Sequence, residues 1–461
     1  MKTKQINNNE TNKRLIPKNR IFALMRLFMT DVFKAVLLPI AILTFLSIVN
    51  GVLQTIVVNI DEKSSSYYHL NVAWQVIREL INLVPLFTAL SIAVAFSFNK
   101  SLAAILTIIG WAMMLMIQSM FIYGETGSFS YLNTSIKNIE GTEIIDTYMG
   151  YKGFKLAFVR TNVLLGFLVG YLNAKIVNLI YLSKSKRLFL WINKVILTSL
   201  TIIGLSIAFG ILHVSLMMPL IYLVQQVATT VNSNQTMVNN NSNTLVAYML
   251  ILGLNILNFD KGFELMFLAK DTTYFDLILS MFVAPFLGMV FIISANKGRQ
   301  TYAVSIYAIS IIISLLFGQY HSLIITLFFL SPLMYFVIIV LITPFISWFA
   351  ILSGLTITTN MPNGGWIVFI KDVLIPTGKG VTGFKDIWTI FCFGILISII
   401  TSVSLYYYIK KAYVSVVGSG LLSKEGIQDI NKYQDAYVVF DKKTYQKVLQ
   451  EHENLDKNST S

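Results

Sequence analysis

GQYHSLIITLFFLSPLMY, residues 318–335, carries one histidine, His321, at the mouth of a long apolar run that Pro332 interrupts. Its length and lack of charge suit a membrane environment better than a soluble core. The histidine is then either a packed residue holding one hydrogen bond or part of a binding site, and the rest of the chain has to decide what surrounds it.

Working outward, the 461 residues are 55% hydrophobic and only 12% charged, against roughly 25% charged in an ordinary soluble domain. The deficit is concentrated in apolar runs, several near or beyond the roughly 20 residues that cross a bilayer. The expected fold class is an all-α polytopic membrane protein. Lys and Arg number 35 against 22 Asp and Glu, a net charge of +13. These cations cluster at the ends of apolar runs, where they set topology, so no nucleic-acid partner is expected; the lipid bilayer is. The single cysteine, Cys392, excludes an internal disulfide and a thiolate cluster. With four histidines in all, no metal site is expected either. No P-loop, nucleotide fingerprint or other cofactor motif occurs, and no catalytic residue stands out.

Apolar segments read at about 32–57, 80–98, 101–123, 162–182, 195–227, 275–295, 301–317 and 386–409. The stretch 58–79 reads as a loop, 124–160 as a long loop, and 244–259 as too short for a full crossing. The basic connections 183–194 and 296–300 alternate with less basic ones, which places both termini in the cytoplasm. Residues 1–31 form a basic N-terminal segment, 32–411 the transmembrane domain and 412–461 a hydrophilic tail. Lys410 and Lys411 demand a cytoplasmic end that the crossings do not supply. Either 323–355, broken by Pro332 and Pro344, or the GGWIVFIKDVLIP region must therefore fold back within the membrane. Such backbone is tolerated only where protein or a watery cavity shelters it.

Several segments match one family in order. KAVLLPIAIL (34–43), INLVPLF (81–87), TNVLLGFLVGYL (161–172), SKSKRLF (183–189), MFVAPFLGMVFIISANKGR (281–299), LSPLMYF (330–336) and NGGWIVF (363–369) resemble signatures of the enzyme IIC component of bacterial phosphotransferase sugar permeases, in the glucose/glucoside superfamily. The resemblance runs from about 30 to 410. It implies about ten spanning helices with re-entrant hairpins, a homodimer in the plasma membrane, a sugar or sugar-like substrate, and separate cytoplasmic IIB and IIA phosphotransfer proteins. The family's phosphorylated cysteine belongs to a IIB domain, which the tail 412–461 does not contain, because it has no cysteine.

The resemblance also implies site residues, and here the chain departs from the pattern. Two family glutamates bind sugar hydroxyls; His321 takes the place of the first and Ile324 that of the second, with Ser322 where a proline stands. A His-His pair survives only as His213, followed by Val214. A histidine donates and accepts one bond each and does not replace a bidentate carboxylate. The candidate substrate-binding set is His213, His321, Ser322, Asn82, Asn363, Gly364 and Gly365. For the histidines the alternative is a bond across two helices. Asn82 and Asn363 either bind hydroxyls or satisfy a broken helix, and Gly364-Gly365 either touch a ligand or permit a tight turn. Three functions follow: a sugar permease, a permease for a less hydroxylated substrate, or a transport-inactive scaffold or sensor.

Overall fold

The computed structural model describes residues 20–61, 63–123, 145–149, 155–159, 161–182, 193–233, 277–296, 300–342, 364–378, 384–412, 414 and 416–418. Asn363, the segment 244–259, Pro344 and the tail beyond residue 418 lie outside them.

Four helices open the chain: α1 (Arg20–Asn59), α2 (Ser65–Asn82), α3 (Val84–Phe96) and α4 (Lys100–Tyr123). Next come α5 (Val163–Leu182), α6 (Lys194–Ser233), α7 (Ala284–Ile293), α8 (Gln300–Phe317), α9 (His321–Leu330) and, last, α10 (Phe384–Ala412). A wide π-type turn, Leu279–Val283, leads into α7, and a short helical segment of mixed pitch covers 366–378. Among the described residues, seven helices are long and apolar enough to cross a membrane, counting α2 and α3 as one span, Ser65–Phe96.

Two expectations are corrected. The stretch 58–79 is mostly helix, because its apolar residues recur at helical spacing: Ile77 and Ile81 join the core, and Trp74 Nε1 donates to Asn50 Oδ1 of α1 at 3.0 Å. The charges of Arg78 and Glu79 hid that pattern. Among the described residues the fold is all-helical as expected apart from one hairpin within 124–160, read as a long loop, where β1 (Ile145–Met149) pairs antiparallel with β2 (Lys155–Val159) in the register Ile145↔Val159. Ile145, Thr147 and Tyr148 in the first strand and Phe158 and Val159 in the second are residue types that favour the extended form.

The first module is built on close backbone approach. A Cβ on Gly166 would collide with the Pro85 carbonyl, and one on Gly170 with the carbonyl of Ala89, so α5 lies parallel to α3 at a distance only glycine permits. Below them, the Asn178 carboxamide donates to the Phe96 carbonyl and accepts from Phe98 N–H, both at 2.7 Å, and so ties α5 to the turn that ends α3. α4 and α6 repeat the parallel pairing, with Gly110 facing Ser206 and Gly210 facing Met114 and Ile117.

In the second module α1 runs parallel to α8: Thr44 Oγ1 lies 3.3 Å from Ser310 Oγ, and Gly51 receives the ring of Phe317. α7 runs antiparallel to α8, with Ser314 Oγ donating to Ser280 O at 2.8 Å and Phe291 packing on Tyr307. The backbone N–H of Asn296, after α7, donates to Gly418 O, just beyond α10. The 296–300 connection and the end of α10 therefore share one end of the bundle. Phe336–Ile342, another wide turn, follows the break that Pro332 makes.

Candidate functional site

Between α8 and α9 the chain turns through Gly318, Gln319 and Tyr320. Gly318 has φ of +71°, a conformation that costs other residues energy, and Gly365 has φ of +97°. The two turns are pressed together. A Cβ on Gly365 would lie 2.5 Å from the Gly318 nitrogen, and one on Gly318 would strike the Gly364 carbonyl. Glycine is required on both sides, by φ and by proximity at once. This is the tight-turn role allowed for Gly364-Gly365, together with a partner the sequence did not specify.

From this contact two short helices leave in opposite directions. α9 descends until Phe329 meets Phe167, whose ring lies within an aromatic group formed with Phe28, Phe96 and Tyr171. The 366–378 segment rises until Lys371 Nζ donates to Asn59 Oδ1 at 2.9 Å, at the far end of α1. At residue 331 α9 stops because Pro332 follows; Ser331, at φ −152°, turns its hydroxyl to accept from Met334 N–H and starts the next helix.

Among the residues singled out from sequence, His321 opens α9 half-buried, its ring stacked on that of Tyr320 at 4.7 Å between centroids. Ser322 is buried, and its backbone carbonyl accepts from Thr326 Oγ1 at 2.7 Å. These two and Gly364-Gly365 are brought to one place. Asn82 is elsewhere: it ends α2 beside the Leu83 break that Pro85 enforces at the start of α3. His213 stands in the α4–α6 seam, where Gln118 Nε2 lies 3.0 Å from its Nδ1. An amide nitrogen only donates, so Nδ1 accepts and the ring proton sits on Nε2. That second nitrogen is buried without a partner. The cross-helix bond that was the alternative reading of His213 is therefore present. Among the described residues α6 packs chiefly on α4 and α5, and α9 on α1, α7 and α8, so the two histidines stand in different seams.

Gln319 went unnoticed in sequence. It is 4% exposed, yet its Nε2 has no hydrogen-bond partner. An orphaned buried amide costs about 1–3 kcal/mol. Nothing in the sequence marks a lone glutamine as buried. Its adjacency to a glycine forced into positive φ is the signal that only the backbone provides. Ile324 and Val214, at the places of the family's second glutamate and second histidine, are 1% exposed and belong to the apolar core.

No group of three or more His, Cys, Asp or Glu side chains suited to a metal occurs among the described residues. No charged residue occurs anywhere in 300–330. The turn itself offers hydrogen bonding from side-chain amide, hydroxyl, imidazole and backbone groups, and the 366–378 segment adds Lys371 and Asp372, whose Oδ2 is buried without a partner. No protein-family model matches the chain, and no curated protein matches it.

Proposed function

We propose that the chain is a membrane permease of the enzyme IIC type, carrying a sugar or sugar-like solute through the plasma membrane and relying on separate cytoplasmic IIB and IIA proteins for phosphotransfer. The observation that carries the reading is the contact of Gly318 with Gly364-Gly365. Two short helices begin there and run to opposite ends of the bundle. Irregular backbone at membrane depth persists where it is sheltered around a site, and discontinuous helices are how many transporters build one. On this reading α9 and the 366–378 segment are the tips of re-entrant hairpins, crossings number about ten, both termini are cytoplasmic, and the permease works as a homodimer. The chain itself receives no phosphate.

A second reading has its own support. The positions of the second glutamate and second histidine are filled by Ile324 and Val214, both packed in the core. This favours a solute with fewer hydroxyls, or a scaffold or sensor that no longer transports.

The test is uptake of labelled sugars into proteoliposomes holding the purified chain, with and without a complete set of phosphotransfer proteins. Accumulation that needs those proteins supports the permease. Uptake of a different neutral solute without them supports the second reading's transporter, and absence of any uptake together with absence of ligand-induced stabilisation supports the scaffold.

A further inference from the structure

We propose that Asp372 is a protonation site that latches the 366–378 segment to the bundle: the segment docks when the carboxyl holds a proton and loosens when it ionises. The proposal goes beyond the permease reading and does not rest on it, because docking is measured without any solute.

The segment has two faces. Gly365, Val368, Phe369 and Val373 form the buried one, and Trp366, Ile370, Leu374 and Ile375 the exposed one. Phe369 packs on Phe391 of α10 at 5.4 Å between ring centroids, and Gly365 lies against the end of α8. Asp372 stands beside Val373 and four residues after Val368, half-buried at the edge of the inner face. Where the outer face is apolar, an acid turned toward the protein marks an ion or proton position.

Its neighbour in sequence is a cation, yet the two charges do not close a pair. Lys371 Nζ donates to Asn59 Oδ1 at 2.9 Å instead, and Asp372 Oδ2 is buried without a partner. Consecutive helical residues point in different directions, so the ammonium is held at the end of α1 while the carboxyl is left against the protein. Both belong to the wide turn Phe369–Leu374, a distortion that recurs at functional sites. An enclosed carboxylate oxygen with no donor favours the neutral acid. Because the residue is only half-buried, water reaches it without any opening of the fold.

Other charged groups border the segment. α8 carries none over 300–317, Asp61 and Lys63 follow α1 and are exposed, and Lys385 and Asp386 open α10. His321 is the titratable group at the start of α9, beyond the turn that Gly365 touches. Docking takes up a proton, so it weakens as pH rises through the range in which the docked carboxyl ionises. Below the range of a free carboxyl both forms are protonated and pH has no effect.

The experiment uses the purified full chain with Cys392→Ser and Val368→Cys, since Val368 is 3% exposed and reacts when the segment lifts. Its rate with an uncharged maleimide is measured from about pH 5.5 to about pH 8, with and without Asp372→Asn, so that thiolate chemistry cancels in the ratio. The rate with Asp372 intact, divided by the rate in Asp372→Asn, should rise at least about threefold over this range, with about tenfold per pH unit as the ceiling for one proton. Without the reporter, Asp372→Asn should melt with the wild type at the acid end and above it at the alkaline end. A ratio that stays flat or falls, or a melting difference that does not change with pH, overturns the latch. Asp372→Asn that fails to fold, or melts well below wild type at the acid end, overturns it too, because asparagine imitates the neutral acid. A pH dependence that persists in Asp372→Asn and disappears in His321→Gln assigns the proton to His321 and overturns the role of Asp372.

Discussion

Gly318 and Gly365 touch backbone to backbone, so that a Cβ on Gly365 would lie 2.5 Å from the Gly318 nitrogen while both residues hold positive φ. Strain and collision therefore act together on any substitution. Gly365→Ala should lose more than about 2 kcal/mol of stability, read as a lowered melting temperature in detergent. Gly204→Ala is the control: nothing lies within 4 Å of its Cβ position, and helix propensity predicts a change of under about 1 kcal/mol in the stabilising direction. Equal melting of the two variants would refute the tight contact.

Gly166 and Gly170 meet the carbonyls of Pro85 and Ala89, so α3 and α5 have no room for side chains between them. Gly170→Val should separate the helices and cost several kcal/mol, with about 1–3 kcal/mol as the minimum for overpacking. Loss of a disulfide between cysteines introduced at Ala93 and Val177, both fully buried in one cluster, would report the separation.

Asn178 uses both ends of its carboxamide on the Phe96–Phe98 turn. Asn178→Leu leaves a backbone donor and acceptor short of partners and should cost about 1–3 kcal/mol. Asn178→Asp keeps an acceptor for Phe98 N–H but has nothing to donate to the Phe96 carbonyl. It should fall below wild type as well, and protease susceptibility at Ser97–Asn99 gives the local readout.

His213 and Gln118 hold each other across α4 and α6. Either residue changed alone to leucine should destabilise, whereas Gln118→Leu combined with His213→Leu should recover part of the loss. The coupling energy expected from a double-mutant cycle is about 0.6–1.7 kcal/mol. Additive losses would show that the pair does not interact.

The N–H of Asn296 donates to Gly418 O, and Lys371 reaches Asn59 at the other end of α1. In a background lacking Cys392, cysteines at Asn296 and Val414 should react with an impermeant thiol reagent from one side of the membrane. A cysteine at Ser64 should react from the opposite side. Labelling of Asn296→Cys and Ser64→Cys from the same side would reverse the topology.

Much of the fold was legible in the one-dimensional pattern. The segments at 101–123, 162–182 and 301–317 appear as Lys100–Tyr123, Val163–Leu182 and Gln300–Phe317, because a run that must satisfy its own backbone in lipid has few alternatives to a helix. The break at Pro332 was legible for the same kind of reason, since proline has no N–H to give. The amphipathic α2 was not, because its charges mimic a loop when the packing of Trp74 on Asn50 is unknown.

The site divides along the same line. The sequence by itself determined that a polar turn at 318–322 and a Gly-Gly pair at 364–365 interrupt apolar runs, since interruption is a local property of residue type. Only the tertiary structure decided that these two interruptions touch, that His213 belongs to a different seam, and that Gln319 Nε2 and His213 Nε2 are both buried without a partner. Which helices meet follows from close packing of surfaces distant in the chain, and whether a polar atom finds a partner depends on every neighbour around it.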